Sequence, residues 1–140
     1  MNEPFEIKGK ITIEISGPRG KRVIKKDNLI VDVGKNVVRD LLANGTGNGI
    51  SRMALGTGTT AASSSDTGLE TQSYIKNIST KEKSNKKITA RTFFASGEVS
   101  GTFSEIGMFC STTLFSRVVL GTPIVKAPDE SLLLTWEITF

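Results

Sequence analysis

Histidine is absent from the 140 residues, and cysteine occurs once, at Cys110. Without His the chain lacks the commonest metal ligand and the commonest general base, so Ser-His-Asp and Cys-His catalysis are closed to an isolated chain. A single Cys forms no internal disulfide and makes no zinc site alone. Cys110 follows Phe109 in an apolar segment and reads as a small buried hydrophobe. No cofactor and no metal are therefore expected. Tyr and Trp also occur once each, which leaves few rings on which a sugar or a base could stack. No run approaches the roughly 20 apolar residues of a spanning helix, so a membrane is not an expected partner. The opening Met1–Lys8 carries two acids before its first base and no apolar run, unlike a secretory signal, and synthesis in a cytoplasm is expected.

What is present is a composition 37% hydrophobic and 23% charged with fourteen Gly, enough apolar material for one core and too much for a disordered chain. The formal charge of +4 names no partner by itself. Its distribution is uneven, with seven bases between Lys8 and Lys26 and six between Lys76 and Arg91. After the first lobe the nearby rings are limited to Tyr74 and the Phe93-Phe94 pair. That is sparser interleaving than a single-strand binder uses, so nucleic acid is not favoured and solvated strand faces account for the lobes.

Periodicity along the chain is mostly that of strands. Ile7, Ile11, Ile13 and Ile15 fall on odd positions with Lys8, Lys10, Thr12 and Glu14 between, a strand half in water. Gly17-Pro18-Arg19-Gly20 supplies a turn, and Lys21–Lys26 returns as the second strand of a hairpin. Leu29-Ile30-Val31 follows, and Gly34 breaks the chain before Lys35–Ala43, where Val37, Val38, Leu41 and Leu42 make a helical stripe that Asn44-Gly45 closes. Beyond the helix, Ile50–Leu55, Thr71–Ser79 and Ile88–Phe94 read as strands, with Thr80–Lys87 as a charged turn. Phe103–Phe109 and Leu114–Leu120 form a second hairpin, and Ile124-Val125-Lys126 between Pro123 and Pro128 reads as an edge segment. The end of the chain is the most regular part: Leu132, Leu134, Trp136, Ile138 and Phe140 alternate with Leu133, Thr135, Glu137 and Thr139, a core strand. Short strands punctuated by turns, with one helix inserted after the first hairpin, predict a mainly β, antiparallel sandwich or jelly-roll-like domain. No internal repeat and no linker divides it.

The motifs that could carry chemistry are few. Gly56-Thr57-Gly58-Thr59-Thr60 follows a strand, as a phosphate loop does, but lacks the Lys-Ser/Thr that completes one, and no helical stripe follows it. The long segment Gly56–Gly68, small and polar throughout, reads instead as a packing or assembly loop, either ordered or mobile. Carboxylate pairs suited to glycoside hydrolysis could come from Glu98 and Glu105, or from Asp129 and Glu130, but nothing selects a pair; Glu98 and Asp129-Glu130 read as solvated turn residues. Trp136 reads as a core anchor rather than a sugar platform, because it lies on the regular inward face.

Five segments taken in order make a larger pattern. They are Asn28-Leu29-Ile30-Val31 with Gly34; Met53-Ala54-Leu55-Gly56-Thr57-Gly58-Thr59-Thr60 with Asp66-Thr67-Gly68-Leu69-Glu70; Glu105-Ile106-Gly107-Met108-Phe109; Leu114-Phe115-Ser116-Arg117; and Trp136-Glu137-Ile138-Thr139-Phe140. Their order and spacing, over nearly the whole chain, resemble a family of small virion structural proteins of tailed bacteriophages, described as head decoration, fibre or tail-associated proteins. Related sequences often place an Arg a few residues after the Leu-Glu step, where this chain has Thr71-Gln72-Ser73-Tyr74-Ile75-Lys76.

The resemblance implies one β-rich virion domain over residues 1–140, without enzymatic activity, made in the host cytoplasm and released by lysis. A capsid decoration protein that bridges shell subunits is the first expectation. A tail fibre or baseplate component, or a carbohydrate-binding receptor module, is the alternative. The expected partners are further copies of the chain, with a trimer favoured, and capsid or tail proteins. The candidate assembly surface comprises Gly56, Thr57, Gly58, Thr59 and Thr60 together with Lys83, Lys86 and Lys87 of the basic turn.

Overall fold

A computed structural model describes residues 6–140; the reading of the amino terminus as lacking a secretory signal falls largely on residues 1–5, outside this range. Among the described residues there are nine strands and one α-helix. In chain order they are β1 (Lys8–Gly17), β2 (Gly20–Ile30), α1 (Asp32–Asn44), β3 (Arg52–Gly56), β4 (Gln72–Asn77), β5 (Thr80–Ser84), β6 (Lys87–Phe94), β7 (Gly101–Cys110), β8 (Thr113–Lys126) and β9 (Ser131–Thr139). Every strand pair is antiparallel, and the strands lie in the order β4-β3-β7-β8-β2-β1-β9-β6-β5. The expected mainly β fold with one helix after the first hairpin is what forms.

The sheet curls because two stretches of chain pass from one half to the other. β2 pairs with β1 from Gly20 to Asn28 and then turns its last residues, Leu29 and Ile30, to Arg117 and Ser116 of β8. At the opposite side, the two end strands β4 and β5 are consecutive in the chain, with Ile78 and Ser79 between them. Strands that switch halves in this way make the corners of a sandwich. The facing sides share one core. Ile11, Ile13, Leu134 and Trp136 come from one half, and Met53, Leu55, Ile106 and Met108 from the other.

At the centre, β1 lies against β9 in a register that sets Ile11 opposite Trp136, Ile13 opposite Leu134 and Ile15 opposite Leu132. All six are fully buried. Burial of each such side chain contributes roughly 1.5–3 kcal/mol, which makes this pair the main apolar anchor of the fold.

Three elements differ from the sequence expectation. Thr80–Lys87 is a strand followed by a tight turn rather than a turn throughout: β5 pairs with β6 from Thr80–Arg91 to Ser84–Lys87, and Asn85 takes positive φ at the reversal. Every β5 residue is exposed, so no apolar alternation marks it. The helix begins earlier, at Asp32, because Gly34 lies inside its first turn; a Cβ there would come within 2.5 Å of the Phe115 carbonyl oxygen, so Gly34 sets how closely α1 approaches β8. Gly45 closes the helix in the left-handed conformation, its N–H bonded to the Leu41 carbonyl. Lastly, Ile124–Lys126 continues β8, with Pro123 accommodated in a bulge where the register jumps from Phe103–Ile124 to Glu105–Val119. β2 pairs only at Ser116 and Arg117, so the distal part of β8 has a free side, where Pro is tolerated.

Candidate functional site

The register break between β7 and β8 has a second effect. Phe103 faces the core, but beyond the bulge Ile106 and Met108 take the core face, which turns Glu105, Gly107 and Phe109 to the outer face. Across the ladder the same outer face receives Gly56 and Ala54 of β3 and Arg117 of β8. The chain from Thr57 to Thr71 folds over this face. Leu69 packs with Val31, Ala54, Phe109 and Leu114 in a separate apolar cluster.

Glu105 is at the centre of this cover and is 0% exposed. Its Oε2 accepts the amides of Gly58 and Thr71, both at 2.7 Å, and its Oε1 accepts the amide of Glu70 at 2.9 Å and Arg117 Nε at 3.0 Å. Arg117, 2% exposed, continues through Nη1 to Asp66 Oδ2 at 2.9 Å. Asp66 also accepts the Ser63 amide, and the Ser64 carbonyl receives the Asp32 N–H at the start of α1. Glu70 in turn accepts the amides of Thr59 and Thr60 and the Thr60 hydroxyl, while Ser104 Oγ donates to the Gly58 carbonyl. The long segment is thus an ordered loop, sewn to the sheet by Glu105, Asp66 and Arg117 and closed on itself by Glu70.

This arrangement explains the Gly-Thr-Gly spacing. A Cβ on Gly56 would lie 2.8 Å from Glu105 Cγ, and one on Gly58 would strike the Glu105 carboxylate itself. The glycines are there so that backbone can reach a buried anion, the same geometry by which Gly-rich loops bind phosphate, filled here by a side chain of the chain itself. Burial opposes the charge of Glu105, yet the amides of Thr71, Glu70 and Gly58 and the Arg117 side chain outweigh it and hold the carboxyl below its ordinary range. The Thr60 hydroxyl, followed by the Thr60 and Thr59 amides, does the same for Glu70. With each of its two oxygens already accepting two donors, Glu105 is equipped to fix shape rather than to move a proton.

Arg117, Asp66 and Glu70 carry this node with Glu105, and none of the three belongs to the acid pairs expected from the sequence. The readable signal was an acid and a base each set in the middle of an apolar strand of one hairpin, Glu105 within Phe103–Phe109 and Arg117 within Leu114–Leu120. Charges so placed must pair or be expelled. The position where related sequences carry an Arg after the Leu-Glu step is met differently, because Glu70 is held by Thr59 and Thr60.

The expected site residues separate into two places. Gly56 and Gly58 are buried and Thr57, Thr59 and Thr60 exposed on the loop, whereas Lys83, Lys86 and Lys87 are exposed on the β5–β6 hairpin, at the far end of the Gln72–Ser84 run. Lys87 pairs with Glu137 at 3.1 Å. Of the other acids, Glu98 is exposed as expected and pairs with Lys76. Glu130 corrects its reading as a solvated turn residue: it is buried, accepting the Ala127 amide and Arg22. Trp136 is 0% exposed and Cys110 is buried, as their core readings require, and burial pushes the Cys110 thiol up to about 11. Comparison of the chain with protein-family models, curated proteins and solved structures finds no match.

Proposed function

We propose that the chain is a non-enzymatic structural component of a tailed-phage virion, in first place a capsid decoration protein that bridges shell subunits. The observation that supports this reading is the convergence of the motifs behind the resemblance. Gly56-Thr57-Gly58, Asp66 to Glu70, Glu105 and Arg117 are separated in sequence and meet at one node centred on the buried Glu105 and Arg117. Glu105 and Asp66 are both paired with Arg117, and their joint effect is to hold a surface loop of small side chains in one shape. A preshaped loop loses little entropy on contact with a neighbour, which favours binding. Binding to an assembled shell then stabilises the shell by mass action.

The test places a charge on the outside of the loop without touching its anchors. Thr57→Glu and Ser65→Glu, both at exposed positions, should leave the melting temperature within a few degrees of the parent and sharply lower incorporation into particles. Reversal of Lys83 and Lys86 to Glu tests the basic hairpin separately. Normal incorporation of all these variants would place the assembly contacts elsewhere. The buried Trp136 also removes the indole as a platform for a sugar, so the glycan-binding alternative would have to use other side chains.

A further inference from the structure

Two cavities meet at one end of the curled sheet, where β6 and β8 begin and β7 and β9 finish. The first, of about 510 Å³, lies beneath α1 and is walled chiefly by Val37, Val38, Leu41, Ile88, Phe115 and Ile138; among the described residues, its charged side chains are Lys81 and Lys83. The second is a shallow, open depression that shares Asn48, Gly49, Ile50 and Lys81 with the first, and adds Ser51, Arg52, Asn77 and Ser111. Among the described residues, no carboxylate side chain lines either one. An apolar chamber therefore opens into a polar, basic vestibule.

The helix explains why the chamber is open. Gly34 is buried and Val37 and Val38 pack half-buried against the core, while Leu41 and Leu42 remain 39% and 82% exposed, so the last turn of the apolar stripe borders the cavity without closing on the sheet. Apolar surface left in this state gains free energy when an alkyl chain displaces its water. The cations of the vestibule are positioned by carbonyls and not neutralised: Lys81 Nζ donates to Ile50 O at 2.9 Å, and Arg52 donates through Nε and Nη2 to Ser111 O. Among the described residues, no carboxylate side chain lies within 4.0 Å of the charged nitrogens of Arg52, Lys81 or Lys83. The volume of the apolar chamber, about 510 Å³, falls in the ~300–1,000 Å³ range of small-molecule sites.

We propose that the joined cavities bind a single-chain fatty-acid-type carboxylate, its alkyl chain beneath α1 and its carboxylate between Lys81 and Arg52. A sugar or nucleotide would leave its polar groups unpaired in the chamber, and a cationic amphiphile would meet like charge at the vestibule. The site is independent of the virion reading, since it requires no particle.

The experiment is a titration of the isotopically labelled full chain with decanoate below its micelle-forming concentration, followed by amide NMR shifts, with decyltrimethylammonium as the control of equal chain length and opposite charge. The expected result is saturable shifts at residues 37–42, 48–52 and 81–83, with decanoate bound at least about tenfold more tightly than the cation. Arg52→Gln with Lys81→Gln should weaken decanoate about fivefold or more, and Val38→Trp should abolish saturation by filling the chamber. If Val38→Trp fails to fold, the charge variant decides. No saturation, equal affinity for the cation, shifts centred on residues 56–71, or undiminished decanoate affinity in the charge variant would each overturn the proposal.

Discussion

Glu105 is kept charged inside the protein because four donors converge on it, and removing the charge strands at least one of them. Glu105→Gln leaves Arg117 with Asp66 alone and sets an amide NH₂ against backbone N–H groups. Breaking a buried pair by removing one partner costs about 3–5 kcal/mol, and urea denaturation should read a loss in that range. A loss below about 1 kcal/mol would mean that the loop is held by other contacts. The same residue sets a pH dependence. Glu105, Glu70, Glu98, Asp129 and Glu130 are all held below their ordinary values in the folded chain. Their stabilisation is present above the unfolded carboxyl range of about 4 and is lost as pH falls through the folded values. The melting temperature should therefore drop from pH 5 toward pH 2, and Glu105→Gln should flatten that slope. An unchanged slope would assign the acid sensitivity to the other carboxylates.

Among the elements, those with apolar alternation were the ones legible in the sequence. The pairing of β1 with β9 follows from two runs with period two, and Trp136→Ala should cost about 3–5 kcal/mol through lost transfer energy and the cavity left behind. A much smaller loss would show that neighbouring strands collapse into the space. β5 was not legible as a strand because all five of its residues face water, and its pairing is set by β6 and by the turn at Asn85. The helix was legible from its stripe, but Gly34 was misread as a break because its role is tertiary. Gly34→Ala adds a good helix former, yet its Cβ would collide with the backbone of Phe115. A net destabilisation of about 1–3 kcal/mol is expected in thermal or chemical unfolding. Stabilisation, the outcome helix propensity alone would give, would show that α1 can move off β8 without cost.

For the whole molecule, the fold class could be read from strand period and turn residues, but the curl could not. It depends on β2 changing partners and on β4 and β5 following each other at the two ends of the strand order. The candidate site was legible only in part for the same reason. Gly56 to Thr60 stood out by composition, whereas the acids and the base that shape them are single residues 6 to 61 positions away, brought together by strand register and by the fold of the loop. A preshaped loop and a basic hairpin on one body suit a particle component that meets several neighbours, and the free protein should be a symmetric oligomer, with a trimer expected by sedimentation equilibrium at micromolar concentration. A monomer throughout that range would restrict assembly to the particle surface. The most direct test of the virion assignment is a cryo-electron microscopy reconstruction of purified particles from cells that produce this chain, with its copy number per particle measured in parallel. The account predicts a stoichiometric, symmetry-related density into which the curled sheet fits, with the Thr57–Thr71 loop against a neighbouring subunit. Particles that assemble normally and contain no copy of the chain would contradict it.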